Sequence, residues 1–133
     1  MKSHETQIRV RYQETDNMGV VYYGNYFTWF EVARTEYLRS SGIAYTDLEK
    51  NGTYLLVASA SCKYKSPARY DDVVTAKTWI SEMKNTSLKF EYTFHVADRL
   101  VATGESVHVF TDKSLKPVRI PEEIKKLSSF APH

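Results

Sequence analysis

The spacing of apolar residues changes twice along the chain. Ile8, Val10 and Tyr12 alternate with Gln7, Arg9 and Arg11, so Gln7–Tyr12 reads as a short half-buried strand. A polar, glycine-containing break from Gln13 to Gly19 ends it. From Asn25 the apolar positions recur every three to four residues: Tyr26, Trp29 and Phe30, Ala33, then Tyr37, with Phe27 and Leu38 widening the stripe. That spacing predicts an amphipathic helix of about 16 residues, roughly 24 Å long, with Asn25 as its N-cap and Gly42 as its stop. Glu31 with Arg34, and Glu36 with Arg39, stand three apart, as on a solvated helix face. A short second helix is expected over Tyr45–Asn51.

Thereafter the period is two. Leu56, Ala58, Ala60, Cys62 and Tyr64 share one face of a strand, and Val73–Met83, Leu88–Val96 and Leu100–Phe110 alternate in the same way. Breaks at Ser66–Asp72, Asn85–Ser87 and Asp98–Arg99 are too short for parallel crossovers, so the neighbours are antiparallel. Pro121–Ser129 is suited to a closing helical turn. The expected class is α+β: a curved antiparallel sheet of four or five long strands wrapped around one aromatic helix. Apolar residues also fall on the outer face, so a second copy is expected against the sheet or its edge.

Composition narrows the function classes. The 133 residues fit a single domain, 1–133, with no room for a separate cofactor domain. Eighteen Lys and Arg against sixteen Asp and Glu leave a net charge of +2, which argues against a nucleic-acid-binding surface. Cys62 is the one cysteine, which excludes an internal disulfide and a cysteine-clustered zinc site. His4, His95, His108 and His133 are not spaced as metal ligands, so neither a metal nor a cofactor is expected. No run is long and apolar enough for a membrane span, and Met1–Thr6 has no signal-peptide core; a soluble cytoplasmic protein is expected.

The densest group of chemically useful residues is Arg11–Tyr26, RYQETDNMGVVYYGNY, which joins the first strand to the helix. Asp16 lies in a loop beside Gly19, next to Met18, Tyr22 and Tyr23, where partial desolvation suits a carboxylate to act as base or nucleophile. Gly24 and Asn25 precede a helix start, where free N–H groups and the positive end of the dipole stabilise an oxyanion. A loop aspartate taken alone more often only caps a turn.

The run Tyr12-Gln-Glu-Thr-Asp16, Gly19-Val-Val-Tyr-Tyr23, Asn25-Tyr26 and Glu31-Val-Ala-Arg34-Thr-Glu36, continued by Ser66-Pro67 and Tyr70-Asp71-Asp72, resembles the 4-hydroxybenzoyl-CoA thioesterase family and, within it, the YbgC-type acyl-CoA thioester hydrolases. The resemblance spans about Ile8 to Thr111. It implies a hotdog fold, no cofactor, and a homo-oligomer in which two subunits join their sheets, with dimers assembling to a tetramer and the site lying between subunits. It implies that Asp16 is the catalytic carboxylate and that the main-chain N–H of Tyr23 polarises the thioester carbonyl of an acyl-CoA or an acyl carrier protein. Gly19, Tyr22, Asn25 and Tyr26 would line the substrate site. Many YbgC-type members carry histidine where this chain has Tyr23. Of a basic cluster that one branch uses for the nucleotide phosphates only Lys84 is retained; Lys63, Lys65, Arg69 and Lys89 are the other cations in reach of such a role. Glu31 and Glu36 are expected to be helix-surface charges, and Cys62 a small core residue. Two alternatives stand beside hydrolysis: a non-catalytic acyl-binding scaffold, and a dehydratase on the same fold. The scaffold has no use for a desolvated carboxylate, and the dehydratase lacks a pocket histidine between His4 and His95.

Overall fold

The computed structural model describes residues 2–127. Five antiparallel strands, β1 (Ser3–Arg9), β2 (Tyr54–Tyr64), β3 (Val73–Met83), β4 (Ser87–Val96) and β5 (Arg99–Thr111), form one sheet in the order β1-β3-β4-β5-β2. Helix α1 (Asn25–Ser40) packs on its inner face; α2 (Tyr45–Lys50) and α3 (Glu122–Lys125) are short. The expected helix over Pro121–Ser129 is thus one turn, and its last residues lie outside the described ones. Among the described residues no helix is long and apolar enough to cross a membrane.

Alternation places Val74, Ala76 and Ile80 of β3, Leu88, Phe90, Tyr92 and Phe94 of β4, and Ala102, His108 and Phe110 of β5 on the buried face. Trp29, Phe30, Ala33, Tyr37 and Leu38 of α1 meet them. Phe30 stacks on Tyr92 at 4.1 Å between ring centroids and also on Phe94 at 5.7 Å, so one helical ring is layered on two strand rings. Gly104 of β5 makes room for that ring: a β-carbon there would overlap Phe30 and lie 2.8 Å from the Ser61 carbonyl oxygen. At the far end α1 closes as sequence suggests. Gly42, at φ 83°, donates to the Arg39 carbonyl and Ile43 donates to Leu38, the paired bonds of a Schellman stop.

Several local expectations need correction. The first strand begins earlier, at polar Ser3, and ends at Arg9; Tyr12 is exposed in a 3-10 turn. Its polar half is held by ladder pairing with β3 (Ser3 opposite Trp79 through Arg9 opposite Val73), an edge position that periodicity does not register. Arg34 does not pair with Glu31 in solvent: its guanidinium packs toward Tyr92 and Tyr45 inside the fold. Phe27 stays partly exposed and Cys62 is only half-buried. His108 is fully buried, its Nε2 paired with Ser106 Oγ at 2.7 Å, and burial together with Arg34 pushes its pKa down to about 3, so it stays neutral.

Strand β2 pairs with β5 on one side and has an open edge on the other. Residues 56–61 are all exposed, Leu56 and Val57 among them, which is unusual for so apolar a segment. The Gly104→Ala variant is expected to lower stability by about 2 kcal/mol or more through overpacking against Phe30, read as a shift in the denaturant midpoint; an unchanged midpoint would contradict the close approach.

Candidate active site

The site is built from the segment between β1 and α1, and its organiser is Glu14. This carboxylate is buried at 6% exposure. It accepts the Trp29 indole N–H (3.0 Å), the Arg11 main-chain N–H (2.8 Å) and the Arg11 guanidinium (3.4 Å). Its main-chain carbonyl accepts the Tyr22 N–H (2.9 Å) and the Asn25 Nδ2–H (2.8 Å). One residue therefore joins the end of the strand, the loop and the start of the helix. Burial alone would raise the Glu14 pKa, but the bonds from Arg11 and Trp29 outweigh it and hold the carboxyl below its ordinary value.

Two residues on, the chain makes a tight reversal from Asp16 to Val20. The Asp16 N–H donates to the Val20 carbonyl (2.8 Å), and Gly19 takes φ 80°, which favours glycine. Asp16 Oδ1 caps this turn by accepting the N–H groups of Met18 (2.8 Å) and Val20 (3.4 Å). The cap reading and the reactive reading of Asp16 thus coexist, because Oδ2 accepts no hydrogen bond among the described residues. The Val21 N–H donates to the Ala68 carbonyl (2.8 Å) and ties the reversal to the β2–β3 loop.

Asp16 faces a cavity of about 350 Å³ that it lines with Val20, Tyr23, Tyr26, Tyr64 and Lys65. Helix α1 opens on this cavity. Gly24, rather than Asn25, occupies the N-cap position, and the Asn25 side chain instead reaches back to Glu14. The main-chain N–H groups of Tyr23 and Gly24 have no acceptor among the described residues. Tyr64 Oη donates to the Tyr23 carbonyl at 3.0 Å and so fixes the peptide at the helix entrance. Burial, followed by the nearby Cys62, pushes both Tyr26 and Tyr64 up to about 12, so both phenols keep their protons at neutral pH.

Of the residues expected from sequence, Asp16, Tyr23 and Tyr26 come together in the cavity. Gly19 shapes the turn, Asn25 braces it from behind, and the Tyr22 ring packs on Tyr23 at 4.7 Å. Lys84 is not brought there within one chain. It sits in the β3–β4 hairpin, paired with Glu82 at 3.2 Å, and the 11-residue strand β3, roughly 35 Å long, separates it from the loop that adjoins the site. Sequence reading passed over Glu14 and Tyr64. The available signal for Glu14 was Trp29, whose buried indole N–H needs an acceptor. Among the described residues no group of three or more His, Cys, Asp or Glu side chains is placed to hold a metal ion.

Residues 10–127 match the family model described as the thioesterase-like superfamily. The chain is 37% identical over 123 residues to the putative acyl-CoA thioesterase YneP of Bacillus subtilis, covering 90% of this chain and 88% of that one. It is 35% identical over 121 residues to the acyl-CoA thioesterase YbgC of Haemophilus influenzae, covering 89% and 88%. The crystal structure of a DHNA-CoA thioesterase from Staphylococcus aureus superposes with a TM-score of 0.91 at 33% identity, over 97% of this chain and 93% of that one. The sheet wrapped on one helix is accordingly the hotdog fold, and the chain belongs to the thioesterase-like superfamily.

Proposed function

We propose that the chain hydrolyses acyl-CoA thioesters, with Asp16 as the reacting carboxylate and the Tyr23 N–H as the oxyanion donor. The observation that carries this reading is a carboxylate with one oxygen free of hydrogen bonds, Asp16, lining an aromatic cavity together with Tyr23, whose main-chain N–H at the helix start is unused. A thioester carbonyl set between them meets a nucleophile on its carbon and a donor on its oxygen. As the new C–O bond forms, charge gathers on the carbonyl oxygen, where the Tyr23 N–H and the dipole of α1 stabilise it. Asp16 either attacks the carbon, expelling the CoA thiolate and leaving an anhydride that water opens, or takes a proton from the attacking water. Both routes consume one water and give a carboxylic acid and CoA thiol. The acyl group rests against Tyr26 and Tyr64.

The active form in this reading is a homodimer. Strand β2 carries exposed apolar residues along an open edge, and Tyr64 and Lys65 of the site stand at the end of that strand. Antiparallel pairing of two β2 edges would cover Leu56 and Val57, continue the sheet, and bring the start of the partner's β2 beside the cavity. Dimers then pair into a tetramer through the outer sheet face, where Trp79, Val107 and Val109 stand half-buried.

Asp16→Asn is expected to fold normally and to lower acyl-CoA hydrolysis by about 100-fold or more in steady-state assays; a wild-type rate would overturn the mechanism. Leu56→Lys combined with Val57→Lys should yield a species of one 15.4 kDa chain in sedimentation equilibrium that has lost activity, and a fully active monomer would refute a shared site. For Glu14→Gln a loss of about 2 kcal/mol is expected at pH 7. Because the Glu14 pKa is lowered on folding, its contribution is complete above the unfolded value of about 4.3 and disappears as pH falls through the folded value. The Tm gap between wild type and Glu14→Gln should therefore close on acidification below about pH 4, and a gap that persists there would mean the carboxylate's charge is not what stabilises.

A further inference from the structure

The cavity at the helix entrance holds one charged group that the chemistry above leaves unused. Its lining carries a single carboxylate, Asp16, and a single cation, Lys65; the other residues are apolar, aromatic or neutral. Lys65 follows Tyr64 where β2 ends, and its root is fixed: its main-chain N–H and that of Ser66 both donate to the Val101 carbonyl, at 2.8 and 3.1 Å. The wall beyond it is braced by Arg99, whose guanidinium donates to Ser66 Oγ (2.9 Å) and to the Pro67 carbonyl (2.6 Å). The two cations therefore differ. Arg99 is committed to the wall, whereas the Lys65 ammonium forms no hydrogen bond or ion pair among the described residues, with Asp16 or with any other group. It rides on a flexible four-carbon stem rooted in the cavity wall.

Thioester hydrolysis raises negative charge at two places in turn. The first is the carbonyl oxygen, which the Tyr23 N–H and the dipole of α1 meet. The second is the sulfur, once the C–S bond gives way. An alkyl thiol such as cysteine ionises at about 8.5, so its anion leaves more slowly than that of a stronger acid. Neither phenol of the cavity suits that anion as a proton donor. Tyr64 already donates to the Tyr23 carbonyl, and burial pushes both Tyr26 and Tyr64 up to about 12, so either would be giving its proton to a weaker base. The group left in the lining to meet charge on sulfur is the uncommitted ammonium.

We infer that Lys65 is a catalytic residue for departure of the thiol, its ammonium meeting the charge that develops on sulfur as the C–S bond breaks. The inference rests on the thioesterase reading and deepens it by supplying the leaving-group half of the reaction. An oxygen of Asp16 or of water adds to the carbonyl carbon, and the carbonyl pair collects on oxygen. When the carbonyl re-forms, the C–S pair passes to sulfur, which departs beside the ammonium as an ion pair. The thiolate then takes one of the two protons brought by the water, and Lys65 ends the cycle charged as it began. That Asp16 and Lys65 are not paired is part of the design, since an ion pair would make the carboxylate a poorer base and occupy the cation. Apart, each serves its own end of the reacting bond.

The test carries one acyl group on three thiols, CoA, N-acetylcysteamine and thiophenol, across wild type, Lys65→Gln and Lys65→Arg, with circular dichroism and sedimentation showing that fold and assembly are unchanged. Lys65 is exposed, so its effect is that of a partly screened ion: Lys65→Gln is expected to lower kcat about tenfold on the CoA and N-acetylcysteamine thioesters alike. The thiophenyl ester, whose leaving anion needs no help, should lose less than about twofold. Lys65→Arg, which keeps the charge, should recover most of the rate. An unchanged kcat in Lys65→Gln overturns the inference. So does a loss shared equally by all three esters, which marks a structural role, or one confined to the CoA ester, which marks a contact to the carrier. Failure of wild type to cleave either alkyl thioester instead removes the thioesterase reading itself.

Discussion

The burial of one carboxylate, Glu14, is the constraint on which the site depends. A charge taken out of water must be met by donors, and the three donors here come from two residues: the main chain and guanidinium of Arg11, just past the first strand, and the indole of Trp29 in the helix core. Its carbonyl, accepting from Tyr22 and Asn25, adds the helix entrance. With those bonds made, the path from β1 to α1 has little freedom left. Asp16 then falls two residues from a fixed point, and the unused N–H groups of Tyr23 and Gly24 fall at another.

The rest of the fold supports that arrangement from below. Phe30, layered on Tyr92 and Phe94 and admitted by Gly104, sets the height of α1 over the sheet. Tyr64 then reaches from β2 to the Tyr23 carbonyl and forms part of the cavity wall. The same strand leaves an apolar edge uncovered, so the element that completes the pocket within one chain is also the one that invites a second chain. In the proposed dimer, assembly and site would be coupled through β2.

Much of the architecture was legible in the sequence, because helix α1 and strands β3, β4 and β5 each bury one face and so carry a clear period. The place of Asp16 beside the helix entrance was legible through the motif around it. What escaped was held by interactions that leave no period. Polar Ser3–Thr6 forms a strand only because β3 offers a ladder. Arg34 looks solvated beside Glu31 in sequence, yet turns inward to Tyr45 and to Tyr92, a residue far along the chain. Glu14 reads as one more polar loop residue until Trp29 is seen to need it. Lys84, expected to meet the nucleotide phosphates, follows Met83 at the far end of β3 and within one chain pairs with Glu82.

The most direct measurement is release of free thiol by the purified wild-type protein from a panel of short, long and aromatic acyl-CoAs, with the acid product identified by mass spectrometry. The expected result is stoichiometric CoA thiol and free carboxylic acid for at least one acyl class, at a kcat/KM on the order of 10⁴ M⁻¹s⁻¹ or above. Thiol release no faster than the protein-free background across the whole panel would contradict the assignment of Asp16 and the helix entrance to thioester hydrolysis.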